Sequence, residues 1–295
     1  MKSYASAGIT LGIMAAALAS GCGEPASDAN PESAPAAERN RNSVDASCSG
    51  TIRGRVTWLG DTPRIADFDI LPNLVGAEIF HKKQARPNPN APVIDPETKG
   101  VAGAVVFLRS VDGTRTKPWD LGPVRVEQRD AQFHVLQDGG DSHCGFVRRG
   151  QRITMLSRDR FLYGLHAGGI AYFSLMFPEP DQPLERVLNQ KGIIELSSGV
   201  GYFWMRAYVF VDDHPYYART NNQGGFELHQ VPPGRYQLVC WMPSWVEAQH
   251  DRDPESRLIS RLTFQLPVEQ SQSLTLGKDQ TKEVIFLFTM EHFKR

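Results

Sequence analysis

Several features that would place this chain in a common function class are missing from its sequence. Cysteine is scarce, with four residues in 295, too few for a scaffold held by many disulfides. Lysine plus arginine number 32 and aspartate plus glutamate number 33, so the chain lacks the basic excess of nucleic-acid-binding proteins. Phosphate-binding glycine loops, the nucleophile elbow and the HExxH zinc motif are also missing. We therefore expect no nucleic-acid partner and no enzymatic activity.

Convincing amphipathic helices are missing too, whereas alternating strands and turns are frequent. Hydrophobic residues make up 41% of the chain, enough to form cores. The 26 glycines and 20 prolines favour many turns, and therefore many short strands. Residues 52, 56 and 58, which are Ile, Val and Trp, fall on one face of a strand, while residues 183–189 fit a short helical turn. The sequence predicts an all-β chain of two sandwiches.

The first 21 residues have the pattern of a secretory signal. Lys2 supplies the positive start, and residues 9–18 form an apolar run too short to span about 30 Å of hydrocarbon. Residues 18–22, Leu-Ala-Ser-Gly-Cys, resemble a bacterial lipobox, in which the cysteine becomes the lipidated first residue of the mature protein. We expect Cys22 to anchor the protein in the cell envelope. Gly23 follows it, and not the aspartate that acts as an inner-membrane retention signal, so we expect the outer membrane. The alternative is cleavage nearby that leaves Cys22 as a plain thiol.

The segment at residues 22–49 has a composition that favours a flexible tether after the lipidated cysteine. It contains mostly Ala, Ser, Pro, Asn and Glu, and Val44 is its only β-branched aliphatic residue. Such a segment buries too little apolar surface to offset the entropy lost on ordering it. We expect it to hold the folded part away from the membrane.

Two separated parts of the chain carry the two halves of one pattern. The first half is Gly-Thr-Ile-Arg-Gly-Arg-Val at residues 50–56 with Gly-Ala-Val-Val-Phe-Leu at residues 103–108. The second half lies in residues 218–228 and 231–238, which include the turn sequences Asn-Gln-Gly and Pro-Pro-Gly. Glycine in the first turn supplies the positive φ of a hairpin, and Pro-Pro-Gly favours another tight turn. Together these parts resemble a carboxypeptidase regulatory-like domain, a transthyretin-like β-sandwich.

The chain between these halves carries a different pattern. Its pieces are Arg-Gly-Gln-Arg-Ile-Thr at residues 149–154, Ser-Arg-Asp at residues 157–159 and Phe-Trp-Met-Arg-Ala-Tyr-Val at residues 203–209. They resemble a cupredoxin-like domain of the plastocyanin kind. Bacterial secreted relatives that join both modules have a segment like residues 213–218 after the last strand. The resemblance implies a two-module secreted protein.

The order of these pieces predicts an insertion. We expect residues 50–113 and 212–295 to form one regulatory-like sandwich, with a degenerate cupredoxin-like domain at residues 114–211 inserted between them. Each outer piece lacks strands that the other has, and a small isolated sheet needs a partner for its apolar face. The alternative is three consecutive units. Insertion requires Ile52, Val56 or residues 105–108 to share a core with Phe226, Leu228, Tyr236 or Leu238.

The copper ligands that the cupredoxin resemblance implies are missing. Tyr163 stands where a histidine is expected, and residues 197–203 contain neither Cys nor His. Met205 remains, but a thioether alone is a weak ligand and is more typical of a core. His134 and His166 are weak metal candidates in this module, and we interpret them as turn or surface histidines. We expect neither copper nor another cofactor.

The remaining candidates are two cysteines and a group of aromatic residues. Cys48 and Cys144 are a candidate disulfide for an oxidising compartment, although sequence alone gives no geometry for the pair. Cys240 lies in a strand and is expected to be a buried apolar residue. Aromatic side chains that are exposed together stack on sugar rings. Candidates for such a face are Tyr202, Tyr216, Tyr217, Trp241 and Trp245; the alternative is that these side chains pack in the cores and between the domains.

These observations leave three functional hypotheses. The first is a membrane-tethered, non-enzymatic interaction or scaffold module whose partner is an unidentified envelope protein. The second is a carbohydrate-binding lipoprotein, which requires an exposed aromatic face and a glycan partner. The third is a copper protein for electron transfer, which requires a ligand set that the sequence lacks.

Overall fold

The computed structural model describes residues 49–70, 84–252, 254–255 and 259–294. The predicted signal and tether, with Cys22 and Cys48, lie outside the described residues. No helix within the described ranges is long and apolar enough to cross a membrane.

Short β-strands form nearly all of the regular structure. The first segment contains β1 (Gly50–Trp58), β2 (Phe68–Ile70), β3 (Gln84–Arg86), β4 (Val93–Ile94), β5 (Val101–Ala102) and β6 (Val105–Arg109). The middle segment contains β7 (Arg125–Arg129), β8 (Gln132–Gln137), β9 (Gly140–Ser142), β10 (Cys144–Arg148), β11 (Arg152–Ser157), β12 (Tyr163–Gly169), β13 (Phe173–Phe177), β14 (Leu184–Val187), β15 (Gly192–Ser198) and β16 (Arg206–Asp212). The last segment contains β17 (Tyr217–Arg219), β18 (Gly225–Val231), β19 (Gly234–Met242), β20 (Glu247–Arg252), β21 (Ile259–Phe264), β22 (Val268–Leu276) and β23 (Thr281–Phe288). Single 3-10 turns lie at Gly113–Arg115 and Met290–Phe293.

The first and last segments build one sandwich together. Sheet I has the strand order β18-β1-β23, and sheet II has the order β17-β6-β19-β22. Their facing sides share one core, in which Ile52 and Val106 of the first segment pack with Phe226 and Leu238 of the last. The expected shared core is thereby confirmed, whereas the family identity and limits of each module stay predictions. We call this unit the first sandwich.

The middle segment builds a second sandwich. Sheet III has the order β10-β16-β15-β12-β13, and sheet IV has the order β14-β11-β7-β8-β9. Their core includes Val126, Ile153, Leu165, Leu196 and Val209. The all-β prediction is confirmed. Residues 184–187 are a strand, β14, because they pair with β11 through Met155↔Leu184, and the expectation of a helical turn there is wrong.

A third apolar layer joins the two sandwiches. Strands β6 and β19 of sheet II alternate, so that Val106 and Leu238 face the first core while Phe107 and Trp241 face sheet III. On the other side of this layer, sheet III contributes Phe210 and its neighbours on β10 and β16. Because both faces of β6 are buried, this strand has a continuous apolar sequence. The four sheets therefore stack in the order I, II, III, IV.

Turns that the sequence predicts are present, but they connect sheets. Gly224 has φ +81°, as a turn glycine should, and its carbonyl accepts a hydrogen bond of 2.8 Å from the backbone N–H of Val56. The strands around this turn, β17 and β18, belong to sheets II and I. The turn is therefore a corner of the sandwich and not a hairpin.

Two arms of the first sandwich reach the second. The pair β2–β3 brings Phe68 into the core of the second sandwich, with its ring centroid 5.4 Å from that of Phe203. The pair β20–β21 brings Leu262 into the same core. Both arms cover the end of the second sandwich at which β16 begins.

Candidate functional site: a pocket between the two sandwiches

A cavity of about 390 Å³ lies where the two sandwiches meet. We call it the junction pocket. Its walls come from the proline-containing loop before β4, from β5 and the residues after it, and from β9 and the start of β10. Lining residues include Pro89, Asn90, Pro92, Val93, Ala102, Asp141, Ser142, His143, Cys144, Tyr208, Arg219 and Met242. The lining is largely apolar with a few polar groups, which is typical of small-molecule sites.

Arg219 is held in the pocket by contacts with the second sandwich. It follows Tyr217 by two residues in β17, so both side chains point from sheet II towards sheet III. Its Nη1 donates hydrogen bonds to the Ser142 hydroxyl at 2.5 Å and to the Cys144 carbonyl at 2.7 Å. The guanidinium carbon lies 5.4 Å from the ring centroid of Phe146. These contacts fix a cation whose side chain is partly buried.

Tyr208 and two asparagines fix the opposite wall. The Tyr208 hydroxyl donates to Asn90 Oδ1 at 3.2 Å, and Asn90 Nδ2 donates to the Ser244 carbonyl at 2.9 Å. Asn88 Nδ2 donates to the Trp245 carbonyl at 3.0 Å. Burial raises the pKa of Tyr208, so the hydroxyl keeps its proton at neutral pH. The proline-containing loop is therefore pinned to the first sandwich by buried amide groups.

The cysteine in the pocket wall is a buried thiol of low reactivity. Cys144 is a free, buried thiol, and burial raises its pKa to about 12. The thiolate is the reactive form of cysteine, so Cys144 is a poor nucleophile at neutral pH. Cys240 is also free and buried, in agreement with the expectation of an apolar role. The pairing of Cys48 with Cys144 stays a prediction because Cys48 lies outside the described residues.

The candidate metal ligand His134 lies near the pocket rim but is bound in a mixed-charge cluster. Its Nδ1 is 2.8 Å from Asp141 Oδ2, and Arg129 Nη2 lies 2.8 Å from the same oxygen. Arg129 Nη2 also lies 3.2 Å from the histidine Nδ1. A guanidinium at this position repels a metal cation. The cluster therefore neutralises the Asp141 carboxylate without forming a metal site.

The other candidate ligand, His166, lies in a different sheet. It is exposed on β12 of sheet III, and its Nδ1 is 2.6 Å from the Ser174 hydroxyl. His134 lies on β8 of sheet IV, so the two candidates do not converge. Across the part of the chain that the structure describes, no group of three or more His, Cys, Asp and Glu side chains could hold a metal ion.

The end of the second sandwich, where the resemblance places copper ligands, is filled by aromatic side chains. The rings of Tyr163 and Tyr202 have centroids 5.3 Å apart, and Trp204 contacts Tyr202 at 5.5 Å. Tyr163 donates to Asp159 at 2.6 Å and accepts from the Ala131 N–H at 2.9 Å. The Trp204 Nε1 donates to the Ala131 carbonyl at 2.8 Å. Met205 is buried in the same core, as expected for an apolar role.

A buried arginine fastens this aromatic end. Arg206 Nη1 donates to the carbonyls of Phe203 at 3.0 Å and Met205 at 2.8 Å, and Nη2 donates to the carbonyl of Leu262 on the arm. Its Nε lies 2.9 Å from a Glu195 carboxylate oxygen. Burial lowers the pKa of Arg206, with Glu195 opposing this effect. The guanidinium thus ties the loop before β16 to β21.

The aromatic face predicted for sugar binding is not formed by its candidate residues. All five are buried, from 1% exposed for Tyr216 and Trp241 to 8% for Tyr217. They are also distributed over three separate apolar layers. The physical reason is that each side chain packs inside an apolar layer: Tyr217 and Trp241 between sheets II and III, Tyr216 and Trp245 in the core of the first sandwich, and Tyr202 in the core of the second. A sugar ring cannot stack on them.

Sequence analysis did not single out Arg219 or the asparagines of the pocket. In the sequence, Arg219 looks like any solvent-exposed arginine on a strand. Its contacts depend on β10, which lies about 75 residues earlier in the chain. The asparagines alternate with prolines at residues 87–92, which is a weak signal of a fixed loop. Only the folded chain brings these groups to one cavity.

Comparison with known proteins adds little to this picture. No protein-family model matches the chain, and no curated protein matches it. An oxidized amicyanin mutant is 17% identical over 30% of this chain and 82% of that chain, with a TM-score of 0.25. A Cu(I) amicyanin mutant is 14% identical over 36% and 97%, also with a TM-score of 0.25. These values are too low to support a conclusion about this chain.

Proposed function

We propose that this protein is a non-enzymatic binding module that holds a small ligand in the junction pocket. The observation that carries the proposal is a preformed cavity of about 390 Å³ with a fixed guanidinium and an apolar lining. The volume lies within the range of about 300–1,000 Å³ that is typical of ligand sites. The cysteine beside the cavity has its pKa raised to about 12, which fits binding better than nucleophilic chemistry.

The pocket lies between the sandwiches, where a ligand contacts both. Arg219 comes from β17 of the first sandwich, while Ser142 and Tyr208 come from β9 and β16 of the second. A ligand bound here adds contacts that exist only in the native arrangement. Binding therefore stabilises the whole protein by mass action.

A variant that fills the pocket tests the proposal. Ala102→Phe places a ring in the cavity wall, and Val187→Phe places the same ring on the exposed strand β14 as a matched control. A library of small organic fragments is screened by NMR against the full chain and both variants. We expect fragments that bind wild type and Val187→Phe but not Ala102→Phe. Fragments that bind all three proteins equally, or an absence of hits, would reject the junction pocket as the binding site.

The proposed location is the cell envelope, through lipid on Cys22. The support is the sequence pattern of residues 18–22 and the polar segment that follows it. Several acyl chains give stable attachment where one alone is marginal. In a bacterial host, Cys22→Ser is expected to move the protein into the soluble fraction, while Cys144→Ser leaves it with the membrane. Retention of Cys22→Ser with the membrane, at the wild-type level, would reject the lipid anchor.

A further inference from the structure

We infer that the ligand of the junction pocket is a small organic carboxylate whose charged group pairs with Arg219. The inference rests on the proposed function, and it adds the chemical class of the ligand. It starts from the electrostatics of the pocket.

Arg219 has no carboxylate partner among the residues that the structure describes. Within that part of the chain, the hydrogen bonds of its side chain run from Nη1 to the Ser142 hydroxyl and the Cys144 carbonyl, both uncharged acceptors. The Nε and Nη2 groups keep donors for a further partner. A partly buried guanidinium without a counter-charge is costly unless an anion completes it.

The one carboxylate in the pocket lining does not supply that anion. Asp141 is engaged by Arg129 at 2.8 Å and by His134 at 2.8 Å. Its negative charge is therefore neutralised by Arg129, and the charge of Arg219 is left uncompensated. The pocket favours an anion over a neutral ligand or a cation.

The geometry of Arg219 favours a carboxylate in particular. A guanidinium presents parallel N–H groups that match the two oxygens of a carboxylate. The bonds from Nη1 and the contact with Phe146 at 5.4 Å already restrict the side chain, so little rotamer freedom is lost on binding.

The rest of the lining selects an organic body for this anion. Pro89, Pro92, Val93, Ala102 and Met242 provide apolar surface beside Arg219. A bare inorganic ion leaves this surface and most of the cavity volume empty. A ligand with a carboxylate at one end and a compact apolar group at the other uses both parts.

Benzoate and benzamide test the inference, because they share size and shape but differ in charge. Each is titrated into the full chain at low salt, with binding followed by NMR. We expect benzoate to bind at least about tenfold more tightly than benzamide, since charge-assisted hydrogen bonds are about twice as strong as neutral ones. Inorganic phosphate is the third probe, and we expect it to bind more weakly than benzoate.

Two variants of Arg219 assign the preference to this residue. Arg219→Gln is expected to bind both aromatic probes equally, and Arg219→Lys to keep part of the preference, since lysine keeps the charge without the planar fork. The matched control Arg152→Gln removes a surface cation from sheet IV and should leave the preference unchanged. If Arg219→Gln does not fold, the benzoate preference of Arg219→Lys is compared with that of wild type. A smaller preference supports the inference, and an unchanged preference overturns it.

The outcomes separate the two proposals. Equal binding of benzoate and benzamide to wild type, or a preference that survives in Arg219→Gln, overturns the carboxylate inference and leaves the pocket as a binding site. Tighter binding of phosphate than of benzoate also overturns it, in favour of an inorganic anion. Binding of no probe overturns the inference, and with a failed fragment screen it overturns the proposed function too.

Discussion

The end of the second sandwich and the junction between the sandwiches differ in how they treat buried polar groups. At the sandwich end, Tyr163 and Trp204 place rings in the core and satisfy their polar atoms with Asp159 and Ala131. At the junction, a cavity remains, and Arg219 keeps unused donors beside it. The end of the second sandwich, where the resemblance implies a cofactor site, is therefore a filled core. The cavity and the uncompensated charge of Arg219 occur together at the junction instead.

The largest expected effect concerns the layer that joins the sandwiches. Trp241 is 1% exposed, and its ring meets those of Tyr208 at 4.9 Å and Phe210 at 5.1 Å. Trp241→Ala should lower the free energy of unfolding by about 4 kcal/mol, because it leaves a large cavity between two rigid sheets. Urea denaturation measures this. The control Tyr172→Ala, on a side chain 84% exposed, should change it by less than about 0.5 kcal/mol.

Similar losses for Trp241→Ala and Tyr172→Ala would mean that the sandwiches are only loosely joined. The junction pocket would then lack the rigid walls on which a preformed site depends.

The next effect concerns the filled end. Arg206→Met removes a buried guanidinium that serves three carbonyls, and it should cost about 3 kcal/mol because those carbonyls lose their charged donor. The matched change Arg152→Met breaks an exposed pair with Glu185 and should cost less than about 1 kcal/mol. Denaturant unfolding of both variants measures the difference. Equal costs would show that the arm and the loop hold together without the arginine.

A pair of tyrosine substitutions compares the two regions directly. Tyr163→Phe removes a hydroxyl with two partners, at 2.6 and 2.9 Å, and should cost about 1.5 kcal/mol. Tyr208→Phe removes one longer bond of 3.2 Å to Asn90 and should cost about 0.5 kcal/mol. Thermal unfolding at fixed pH measures both. A larger cost at Tyr208 would mean that the junction wall is the more tightly bonded region.

The smallest effect is a pH dependence on the outer face of sheet IV. The Glu127 side chain is 3% exposed and lies 2.6 Å from Arg158, 3.1 Å from Arg125 and 3.3 Å from Arg129. The hydrogen bond from Arg158 holds the pKa of Glu127 below its usual value. Its contribution to stability is therefore present above the unfolded pKa, about 4.3, and is lost as pH falls through the lower folded pKa.

Unfolding measurements from pH 7 to pH 3 check this sign. Wild type should lose more stability on acidification than Glu127→Gln, by less than about 1 kcal/mol. Parallel curves for the two proteins would contradict the role given to the arginine cluster.

Alternation in the sequence was enough to predict the shared core of the first sandwich. Ile52 and Phe226 lie on the inward faces of their strands, and a small sheet requires a covering partner. The same reasoning failed for Trp241 and Tyr217, because alternation identifies opposite faces but not what covers the second one. The cover that β10 and β16 of sheet III provide for these side chains is a non-local property. The sequence therefore left two interpretations of the aromatic candidates open, an exposed sugar-binding face and packing in the cores and between the domains, and the structure shows the second.

The sequence did not predict the candidate pocket, for a related reason. Arg219 is one of 32 cationic residues, and nothing local distinguishes it from an exposed one. Its lack of a counter-charge depends on Ser142 and Cys144 being uncharged and on Asp141 being paired with Arg129. The missing copper ligands, in contrast, could be recognised from the sequence alone, because they depend only on which residue types stand at the expected positions.

The position of β1 has a consequence for the order of events during synthesis. β1 pairs with β18 on one side and with β23 on the other, so that Arg53 and Glu283, 230 residues apart, form a side-chain hydrogen bond. The ribosome releases β1 before the strands of sheets III and IV and β23 after them. Until β23 has been made, β1 therefore has an unpaired, aggregation-prone edge, while the strands of sheets III and IV are already complete. Because the second sandwich lies between β1 and β23 in the chain, the cell must protect this edge until β23 has been made.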